Sequence, residues 1–492
     1  MLLLAGCGGA ADPPEKASSL VSFDSYKQGP NPFSGQIQFQ GYGLSSLSGY
    51  SFTVEAKPGS VSAPVHVTYD SLALGNRGYL DIDPGSQSPT TASLPIYGLY
   101  SGFTNTVDID LQFYDGSSTT MSLPVATQSY TDPAGVFTNP VVLKQRAPGS
   151  QLGFNYFAIK SLIGTPVIID TDGEVRWVGS GVTNSMSTAF VGDEFVIGDN
   201  TKPEVYQLGL GGNGMTQGAL QSATTPYFHH NIDPGKQGLL ACVATNSNYG
   251  TTVEEITPGG AVLNTWDMGA ILSAYMQQNG DDPTTFVRPL ADWFHINANT
   301  YDSRDDSVIV SSRENFLIKV DYKTGTIRWI LGDPTKYWYT FPSLRAKAIT
   351  LGPGGLYPIG QHGVSITPDG LIMVFNDGYG SLNQPAGAPA GETRTYSTVS
   401  AYSIDEASLT GQEVWNFDYG QSIYSPICSS VYEAGGDSYL VDYATADYYT
   451  HARLLGLDSN HDVVFDFQYP SPAVCTSWNA IPIPLENLNV TQ

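Results

Sequence analysis

Asp172-Gly173-Glu174-Val175-Arg176-Trp177 decides the fold, because this turn and strand ending in an aromatic residue return along the chain. The later copies are Gly260-Ala261-Val262-Leu263-Asn264-Thr265-Trp266, Gly325-Thr326-Ile327-Arg328-Trp329, Gln412-Glu413-Val414-Trp415 and the degenerate Asp462-Val463-Val464-Phe465. A pattern that recurs in this way indicates a repeat architecture, in which each unit is one small piece of supersecondary structure.

An apolar strand that ends near an aspartate precedes these copies. Residues 167–170, 317–321 and 454–458 are the clearest examples, and residues 204–208 add one more unit. About six units of roughly 50 residues, each with four short strands, predict a six-bladed β-propeller. The first unit lacks an innermost strand, and we predict that residues 478–484 supply it and close the ring.

The region before the repeat is predicted to form two further parts. Residues 1–33 are interpreted as a lipoprotein-like signal and a Pro- and Ser-rich tether. Residues 34–145 are predicted to form a small N-terminal β-sandwich, because four short segments alternate with period two: 35–40, 50–54, 65–69 and 107–113. The propeller, predicted to be the catalytic domain, takes residues 146–492 of this all-β chain.

Composition and charge limit the function classes. The formal net charge of −25 makes nucleic acid a poor partner, because phosphate contacts need Lys and Arg. No stretch is long and apolar enough to span a bilayer. Leu4-Ala5-Gly6-Cys7 resembles a bacterial lipoprotein signal cleaved before a lipidated Cys7. We therefore predict an exported protein of the periplasm or cell envelope, with a lipid anchor as its one membrane contact.

Three further cysteines follow Cys7. An exported chain can oxidise a pair, and we predict a disulfide between Cys428 and Cys475, which leaves Cys242 as a small apolar residue in a strand. Sequence alone leaves the other pairings open.

Three of the seven histidines fall at the same point of the repeated unit. His230 is followed eight residues later by Gly238, and His362 is followed eight residues later by Gly370. This register favours His230 over its neighbour His229, because successive strand residues face opposite ways and at most one of the two can face a central channel.

A hairpin centred on Arg304 supplies the third histidine. Antiparallel pairing around this centre sets His295 opposite Arg313, and directly opposed residues share a face with Cβ atoms about 5 Å apart. Asn297, two residues further on, is predicted to face the same way. In a closed ring, this polar patch meets the other two histidines near one mouth of the channel.

Such a cluster allows three interpretations. A neutral imidazole can attack sulfur or phosphorus, a second can move a proton, and an arginine can hold the oxyanion. Alternatively, neutral imidazoles bind zinc or copper, although an adjacent arginine would repel the metal ion. Histidines at strand starts can also simply bond to the backbone. Three histidines in register with an arginine favour the first interpretation.

At these residues the chain resembles a known family. Asp292-Trp293-Phe294-His295-Ile296-Asn297, residues 305–313 and residues 323–332 together look like the bacterial aryl-sulfate sulfotransferases. Residues 229–233 and the sequence from Gln361 to Gly370 are similar to the other signatures of that family. The resemblance spans roughly residues 150 to 470.

The resemblance implies a six-bladed periplasmic propeller that moves a sulfuryl group from a phenolic sulfate ester to a phenol. It implies ping-pong transfer through a sulfohistidine, with no nucleotide sulfate donor, cofactor or metal. His362 matches the nucleophile, His295 and His230 the supporting histidines, Arg313 the sulfate-binding arginine and Asn297 a further polar contact. The expected partners are the small donor and acceptor, and a homodimer is left open.

Some residues leave their roles open. Trp293, Phe294, Trp338 and Tyr379 could stack on a phenol ring or belong to the core. Trp293 and His229 are kept as candidate substrate-binding residues.

The chain also departs from the family pattern. Gly363 follows the nucleophile position, where an acidic or polar residue is common, and the two predicted disulfide cysteines lie far apart in sequence. Three other functions therefore stay open: a non-catalytic envelope propeller for binding or scaffolding, a sulfatase-like hydrolase and a metal-dependent oxidase.

Overall fold

The computed structural model describes residues 15–81, 90–212, 214–222, 226–245 and 248–491, and Cys7 lies outside them. The described chain is mostly β and forms many small sheets, nearly all antiparallel. None of its helices is long and apolar enough to cross a membrane. Short 3-10 turns lie at Ala17–Leu20, Tyr42–Ser46, Pro283–Thr285, Tyr337–Thr340, Tyr419–Gln421 and Leu485–Asn487.

The described residues of the N-terminal part form eight strands and one helix. These are β1 (Ser22–Gln28), β2 (Ser34–Gly41), β3 (Leu47–Val54), β4 (Val65–Asp70), α1 (Ser71–Asn76), β5 (Leu80–Asp81), β6 (Thr90–Tyr97), β7 (Thr104–Phe113) and β8 (Ser118–Ala126). One sheet has the order β1-β2-β6-β5, and the second contains β4-β3-β7-β8. Both sheets contribute to one apolar cluster. All four segments predicted from period-two alternation are strands in the structure.

Two short strands pair with strands that lie across a predicted domain boundary. β1 lies inside the predicted tether and pairs with β2, with Tyr26 opposite Ile37. The ring of Phe23 contacts that of Phe39, with centroids 6.2 Å apart, so apolar contacts hold a segment whose polar composition suggested a linker. β9 (Val141–Lys144) falls within the predicted sandwich but pairs with the outermost strand of the last sheet of the repeat.

The repeat region folds into successive four-stranded units. Its strands and helices are β10 (Tyr156–Lys160), β11 (Val167–Asp170), β12 (Val175–Val178), β13 (Ser187–Val191), β14 (Glu194–Gly198), β15 (Glu204–Gly209), β16 (Met215–Ala219), β17 (Tyr227–Pro234), β18 (Leu239–Thr245), β19 (Asn248–Ile256), β20 (Val262–Asp267), α2 (Met268–Gln278), β21 (Ile296–Asp302), β22 (Ser307–Ser312), β23 (Leu317–Asp321), β24 (Ile327–Leu331), α3 (Pro342–Arg345), β25 (Thr350–Leu351), β26 (Gln361–Ile366), β27 (Ile372–Asn376), β28 (Thr398–Asp405), β29 (Thr410–Phe417), β30 (Ser430–Ala434), β31 (Ser438–Thr445), α4 (Ala446–Tyr449), β32 (His451–Leu457), β33 (Val463–Pro470), β34 (Asn479–Ile483) and β35 (Leu488–Val490). α4 contains left-handed residues and is a tight turn rather than a regular helix.

In the described part of the chain, β9 and the strands from β10 to β34 make six sheets, numbered here one to six in chain order. Sheet one is β34-β10-β11-β12, sheets two, three and four each contain four consecutive strands, and sheets five and six add β25 and β9 at an edge. The aromatic residue that marks each repeat lies on β12, β20, β24, β29 or β33, the fourth strand of its unit. The sequence motif therefore marks the same position in each of these sheets.

Apolar clusters join each sheet to the next, and the sixth sheet to the first. Burial of both faces accounts for the nearly continuous apolar character of the middle strands. One pair of residues from each successive junction is Trp177 with Phe195, Val196 with Phe228, Leu240 with Val308, Ile309 with Val374, Phe375 with Val441, and Phe465 with Phe157. The six sheets therefore contact one another in cyclic order.

The C-terminal segment joins two parts of the fold. β34 pairs antiparallel with β10, with Ala480 opposite Ile159, and is the innermost strand that the sequence predicted for the first unit. β35 then runs parallel to β4 at the edge of the second N-terminal sheet, with Asn489 opposite Thr68. The sequence did not predict this second pairing, because three residues carry too little pattern to identify a partner strand.

The buried carboxyl of Asp442 should make the free energy of unfolding depend on pH. Burial raises the pKa of Asp442 to about 7, although Ser477 donates a hydrogen bond to it at 2.7 Å. The folded state therefore binds a proton that the unfolded state releases near pH 4, and stability is lost as pH rises from there to about 7. We expect the free energy of unfolding of Asp442→Asn, minus that of the natural chain, to increase between about pH 5 and pH 8, on the order of 3 kcal/mol. Urea unfolding of both proteins at each pH measures this, and a pH-independent difference would contradict it.

Candidate active site

The histidine cluster lies where three inner strands begin. His229 and His230 lie at the start of β17, His295 directly precedes β21, and His362 is the second residue of β26. The ring centroid of His230 lies 4.7 Å from that of His295 and 6.3 Å from that of His362. The structure thus brings together the three histidines that the repeat register singled out.

His229 also lies in the cluster, and here the sequence prediction was wrong. Strand alternation predicted that at most one of His229 and His230 faces the channel, yet their ring centroids are 4.0 Å apart. His230 has a φ of +65°, and the pairing of β17 with β18 shifts between Phe228 and Ile232. A left-handed residue in a bulge interrupts the alternation and turns both rings toward the same side.

The imidazoles are in direct contact through their nitrogens. His229 Nδ1 lies 3.0 Å from the Ile296 carbonyl oxygen and 2.8 Å from His230 Nδ1. His230 Nε2 lies 3.1 Å from His295 Nε2, and His295 Nδ1 lies 2.5 Å from Asp292 Oδ2. The sequence analysis quoted Asp292 in a motif but gave it no role.

Burial and mutual repulsion keep two of these rings neutral. Burial, with the neighbouring His295, lowers the pKa of His229 to about 4. Burial also lowers the pKa of His230 well below its usual value, and the surrounding imidazoles and Arg313 add to the effect. Both rings are therefore uncharged at neutral pH.

Arg313 lies opposite His295, as predicted, although the hairpin is centred between Arg304 and Asp305 and a register shift at Asn297 restores this pairing. Its backbone N–H donates to the His295 carbonyl at 3.0 Å. The side chain is 3% exposed, and Nη1 donates to Glu314 Oε1 at 2.9 Å. Its Nη2 is buried and has no hydrogen-bond partner among the described residues. A permanently charged N–H group without a partner is well suited to bind an oxyanion.

Glu314 positions Arg313, and the sequence analysis missed it. It is fully buried and also accepts hydrogen bonds at 2.8 Å from the backbone N–H groups of Leu382 and Asn383. The sequence feature that could have identified Glu314 is an adjacent Arg-Glu pair at the end of a buried strand, because buried charged residues need partners. Glu314 therefore ties the guanidinium to the loop after β27.

His362 has a hydrogen-bonding environment that fixes its tautomer. Its Nδ1 lies 2.9 Å from the Gly360 carbonyl oxygen and 3.1 Å from Asp377 Oδ2. The carbonyl oxygen can only accept, so Nδ1 carries the proton and Nε2 holds a free lone pair. Burial raises the pKa of Asp377, although His362 works against it. The sequence analysis also missed Asp377.

Asn297 and Gly363 pack beside His362. Asn297 lies where the β21–β22 register shifts, and its Nδ2 donates to the Gln361 carbonyl at 2.7 Å, so it bridges two inner strands. Gly363 has a φ of +59°, and a Cβ there would lie 3.0 Å from Ser430 Cα. The glycine that departs from the family pattern is therefore required by backbone shape and space.

The sequence model of the Arylsulfotransferase (ASST) family matches residues 142–477, which include every residue of this cluster. The chain belongs to the arylsulfotransferase family. An Escherichia coli relative named Arylsulfate sulfotransferase AssT is 26% identical over 358 residues, or 56% of this chain and 58% of the relative. A Lelliottia amnigena protein of the same name is 27% identical over 223 residues, or 36% of each chain. The alignments thus cover 58% and 36% of the length of these two relatives.

Among solved structures, the Cps50 (Swd1) β-propeller domain of Myceliophteria thermophila is similar with a TM-score of 0.37 and 13% identity. The comparison covers 68% of this chain and 89% of that domain.

The aromatic residues near the histidine cluster agree only in part with the candidates from the sequence. Trp293 was predicted to bind substrate, but it is 1% exposed and packs against Phe286 with ring centroids 5.1 Å apart. Phe294 and Trp338 are fully buried in the same core cluster. Tyr379 is 40% exposed, and its ring lies 5.7 Å from the Arg313 guanidinium carbon.

Trp478 is the aromatic side chain that contacts the histidines. Its ring centroid lies 4.7 Å from that of His230. A disulfide joins Cys428 to Cys475, the pair predicted from the sequence, with Cα atoms 6.4 Å apart. This disulfide belongs to the same apolar cluster as Trp478, so it braces the segment that carries the tryptophan. Cys242 is buried without a disulfide partner.

The arrangement favours an anion over a metal ion. Nitrogens of His229, His230 and His295 lie within 4.8 Å of one another, whereas His362 lies outside this group. A metal ion there would have to displace the hydrogen bond between His230 and His295 and tolerate the charge of Arg313. The metal interpretation also assigns no function to the unpartnered guanidinium nitrogen.

Proposed function

We propose that this chain transfers a sulfuryl group from a phenolic sulfate ester to a phenol, through a sulfohistidine at His362 and without a nucleotide donor. The observation that carries the proposal is the free Nε2 of His362, which the Gly360 carbonyl enforces by holding the proton on Nδ1. Family membership and the unpartnered Nη2 of Arg313 support the same reaction.

In the first half-reaction, the Nε2 lone pair of His362 attacks the sulfur atom. An N–S bond forms, the bond between sulfur and the aryl oxygen breaks, and the leaving phenolate takes a proton from a neighbouring imidazole. In the second half-reaction, the oxygen of the acceptor phenol attacks sulfur, the N–S bond breaks, and the acceptor's proton returns to the imidazole. His362 ends as a neutral imidazole.

Arg313 binds the sulfate oxygens in this reaction. Transfer spreads negative charge over the sulfuryl oxygens and the leaving oxygen, and a fixed guanidinium stabilises that charge with little reorganisation. The ion pair with Glu314 holds the guanidinium in place, and Nη2 donates to the substrate. The side chain thereby supplies both charge and orientation.

The aryl groups of donor and acceptor are proposed to pack against Tyr379 and Trp478. Both rings lie close to the reacting groups, one beside Arg313 and one against His230. Aromatic rings stack in offset or edge-to-face arrangements, which tolerate a range of phenol substituents.

The architecture we propose for this site is a six-bladed propeller preceded by a β-sandwich. Six sheets in cyclic contact, with the final strand β34 completing the first sheet, support a closed ring whose inner strands surround the cluster. Two N-terminal sheets that share one apolar cluster support the sandwich.

We also propose export to the periplasm or cell envelope, with a lipid anchor at Cys7 and a homodimer as further hypotheses. The disulfide between Cys428 and Cys475 supports an oxidising compartment. Fractionation of cells grown with labelled fatty acid tests the anchor, and sedimentation of the purified protein tests the dimer.

Mass spectrometry of the trapped intermediate tests the function. The enzyme is mixed with an aryl sulfate alone, quenched and digested, and we expect added sulfuryl mass on the peptide that contains His362. The His362→Ala protein is the control for modification at other residues. Phenol added before the quench should remove the mass and yield the sulfated phenol. Turnover with an unmodified His362 peptide, or release that does not rise with phenol, would reject the proposal and favour a hydrolase.

A further inference from the structure

The contacts of the histidine cluster form one continuous chain of hydrogen bonds. It runs from the Ile296 carbonyl through His229, His230 and His295 to Asp292, with distances of 3.0, 2.8, 3.1 and 2.5 Å. Both ends of the chain are oxygens, and three imidazoles lie between them. This chain is separate from the groups that hold His362 and Arg313.

The two ends fix which nitrogens carry protons. A carbonyl oxygen can only accept, so His229 Nδ1 must be protonated. At the other end the Asp292 carboxylate accepts, so His295 Nδ1 must be protonated as well. Burial by itself raises the pKa of Asp292, but the hydrogen bond and charge of His295 outweigh it, and this pKa lies below its usual value.

The middle of the chain then has one arrangement that satisfies every atom. His230 Nδ1 faces a protonated nitrogen of His229, so it must accept. His230 therefore carries its proton on Nε2 and donates to the lone pair of His295 Nε2. In His230 and His295 one ring nitrogen donates and the other accepts, whereas the single Nδ1–H of His229 is shared between the Ile296 carbonyl and His230 Nδ1.

We propose that Asp292 and His229 are positioning residues that fix opposite tautomers on the two central imidazoles, making His295 the general acid–base and His230 a neutral hydrogen-bond donor. This inference rests on the proposed sulfuryl transfer and adds to it a division of roles among the histidines.

The charged groups around each ring support this division. His295 contacts the Asp292 carboxylate through Nδ1, and the His229 and His230 rings lie on its other side. Asp377, at the end of β27, pairs with His362 instead. The described contacts of His230 include other imidazoles and Trp478 but no carboxylate, so it lacks a group that would stabilise a charge.

The proton movements balance in both half-reactions. Protonation of His295 at Nε2 breaks its hydrogen bond with His230, and the leaving phenolic oxygen then accepts a hydrogen bond from His230 Nε2–H and a proton from His295 Nε2–H. The acceptor phenol later returns a proton to the same nitrogen of His295. Asp292 stays ionised throughout, and its one-third exposed side chain lets solvent supply the first proton.

Asp292→Asn tests the assignment through the acidity of the leaving group. A good leaving group such as 4-nitrophenolate needs little help from an acid, whereas unsubstituted phenolate needs a proton. We expect a loss of less than about 10-fold with 4-nitrophenyl sulfate and of about 10²- to 10³-fold with phenyl sulfate. Asp292→Glu, which keeps the charge, should recover part of the phenyl sulfate rate. Asp108→Asn, an exposed change on β7, is the matched control and should behave like the natural chain.

The outcomes separate this inference from the function on which it rests. If the natural chain transfers sulfuryl groups but Asp292→Asn loses equally with both donors, the assignment of Asp292 is wrong and the transferase stands. If the natural chain transfers from no donor, the proposed function itself is wrong.

Nitrogen NMR gives a test that does not depend on activity. In protein labelled with ¹⁵N-histidine at neutral pH, we expect a protonated Nε2 for His230 and a protonated Nδ1 for His295. Spectra of His230→Gln and His295→Gln assign the two signals among the seven histidines. A protonated Nδ1 on His230 would overturn the proposed direction of the chain.

Discussion

Replacing His362 by alanine is expected to lower turnover by about 10⁴-fold or more, because the group that attacks sulfur is then missing. The remaining donors can still bind and polarise the ester, so donor binding should survive better than turnover. The measurement is phenol-dependent release of a chromogenic phenol, together with direct detection of the sulfated acceptor.

A matched histidine variant separates chemistry from folding. His66 lies on β4 of the N-terminal sheet and bonds to Thr53, far along the fold from the cluster, so His66→Ala should retain near-normal turnover. Thermal unfolding of both variants checks that each is folded. Near-normal turnover of a folded His362→Ala protein would remove the nucleophile assignment.

Arg313→Lys is expected to have the second largest effect, a loss of about 10³-fold in kcat/KM for the sulfate donor. The guanidinium uses Nη1 to pair with Glu314 and leaves Nη2 for the substrate. A single ammonium in this buried position cannot reproduce the planar fork, so it must give up one interaction or the other. We expect the loss to appear in both kcat and KM, because the interaction is made with bound donor and strengthens during transfer.

Arg345→Lys provides the comparison for that change. Arg345 is exposed at the end of α3, and the same substitution there should leave kinetics unchanged. If Arg313→Lys also retained most of its kcat/KM, charge alone would suffice and the fixed geometry of the guanidinium would not matter.

Much of this site could be predicted from the sequence, because the pairing of strands in a hairpin depends on residues that are close together in the chain. The turn after β21 is short and flanked by clear strands, so the predicted centre at Arg304 was close to the actual one between Arg304 and Asp305, and a register shift at Asn297 restored the pairing of His295 with Arg313. The equal spacing from His230 and His362 to the following glycines placed two more residues on equivalent inner strands. The pairing of β34 with the first sheet was predictable because the first repeat lacked one of its four strands.

The features that were missed depend on information that a pattern does not contain. The left-handed φ of His230 reverses its facing, and period-two alternation cannot show a bulge. Glu314 and Asp377 acquire their roles through contacts with distant loops and a neighbouring ring. Trp293 has the composition of a substrate platform, but its neighbours bury it.

β34 and β35 lie far along the chain from the strands with which they pair, so their two sheets are completed late in synthesis. β34 completes a sheet begun at β10, and β35 completes one begun at β4, so each earlier strand is synthesised long before the strand that completes its sheet. Trp478, which directly precedes β34, reaches His230 only at the same late stage. A nascent chain therefore holds its histidines without this tryptophan, and the proposed active site is complete only after residues 478–490 have been synthesised and have paired with the earlier strands.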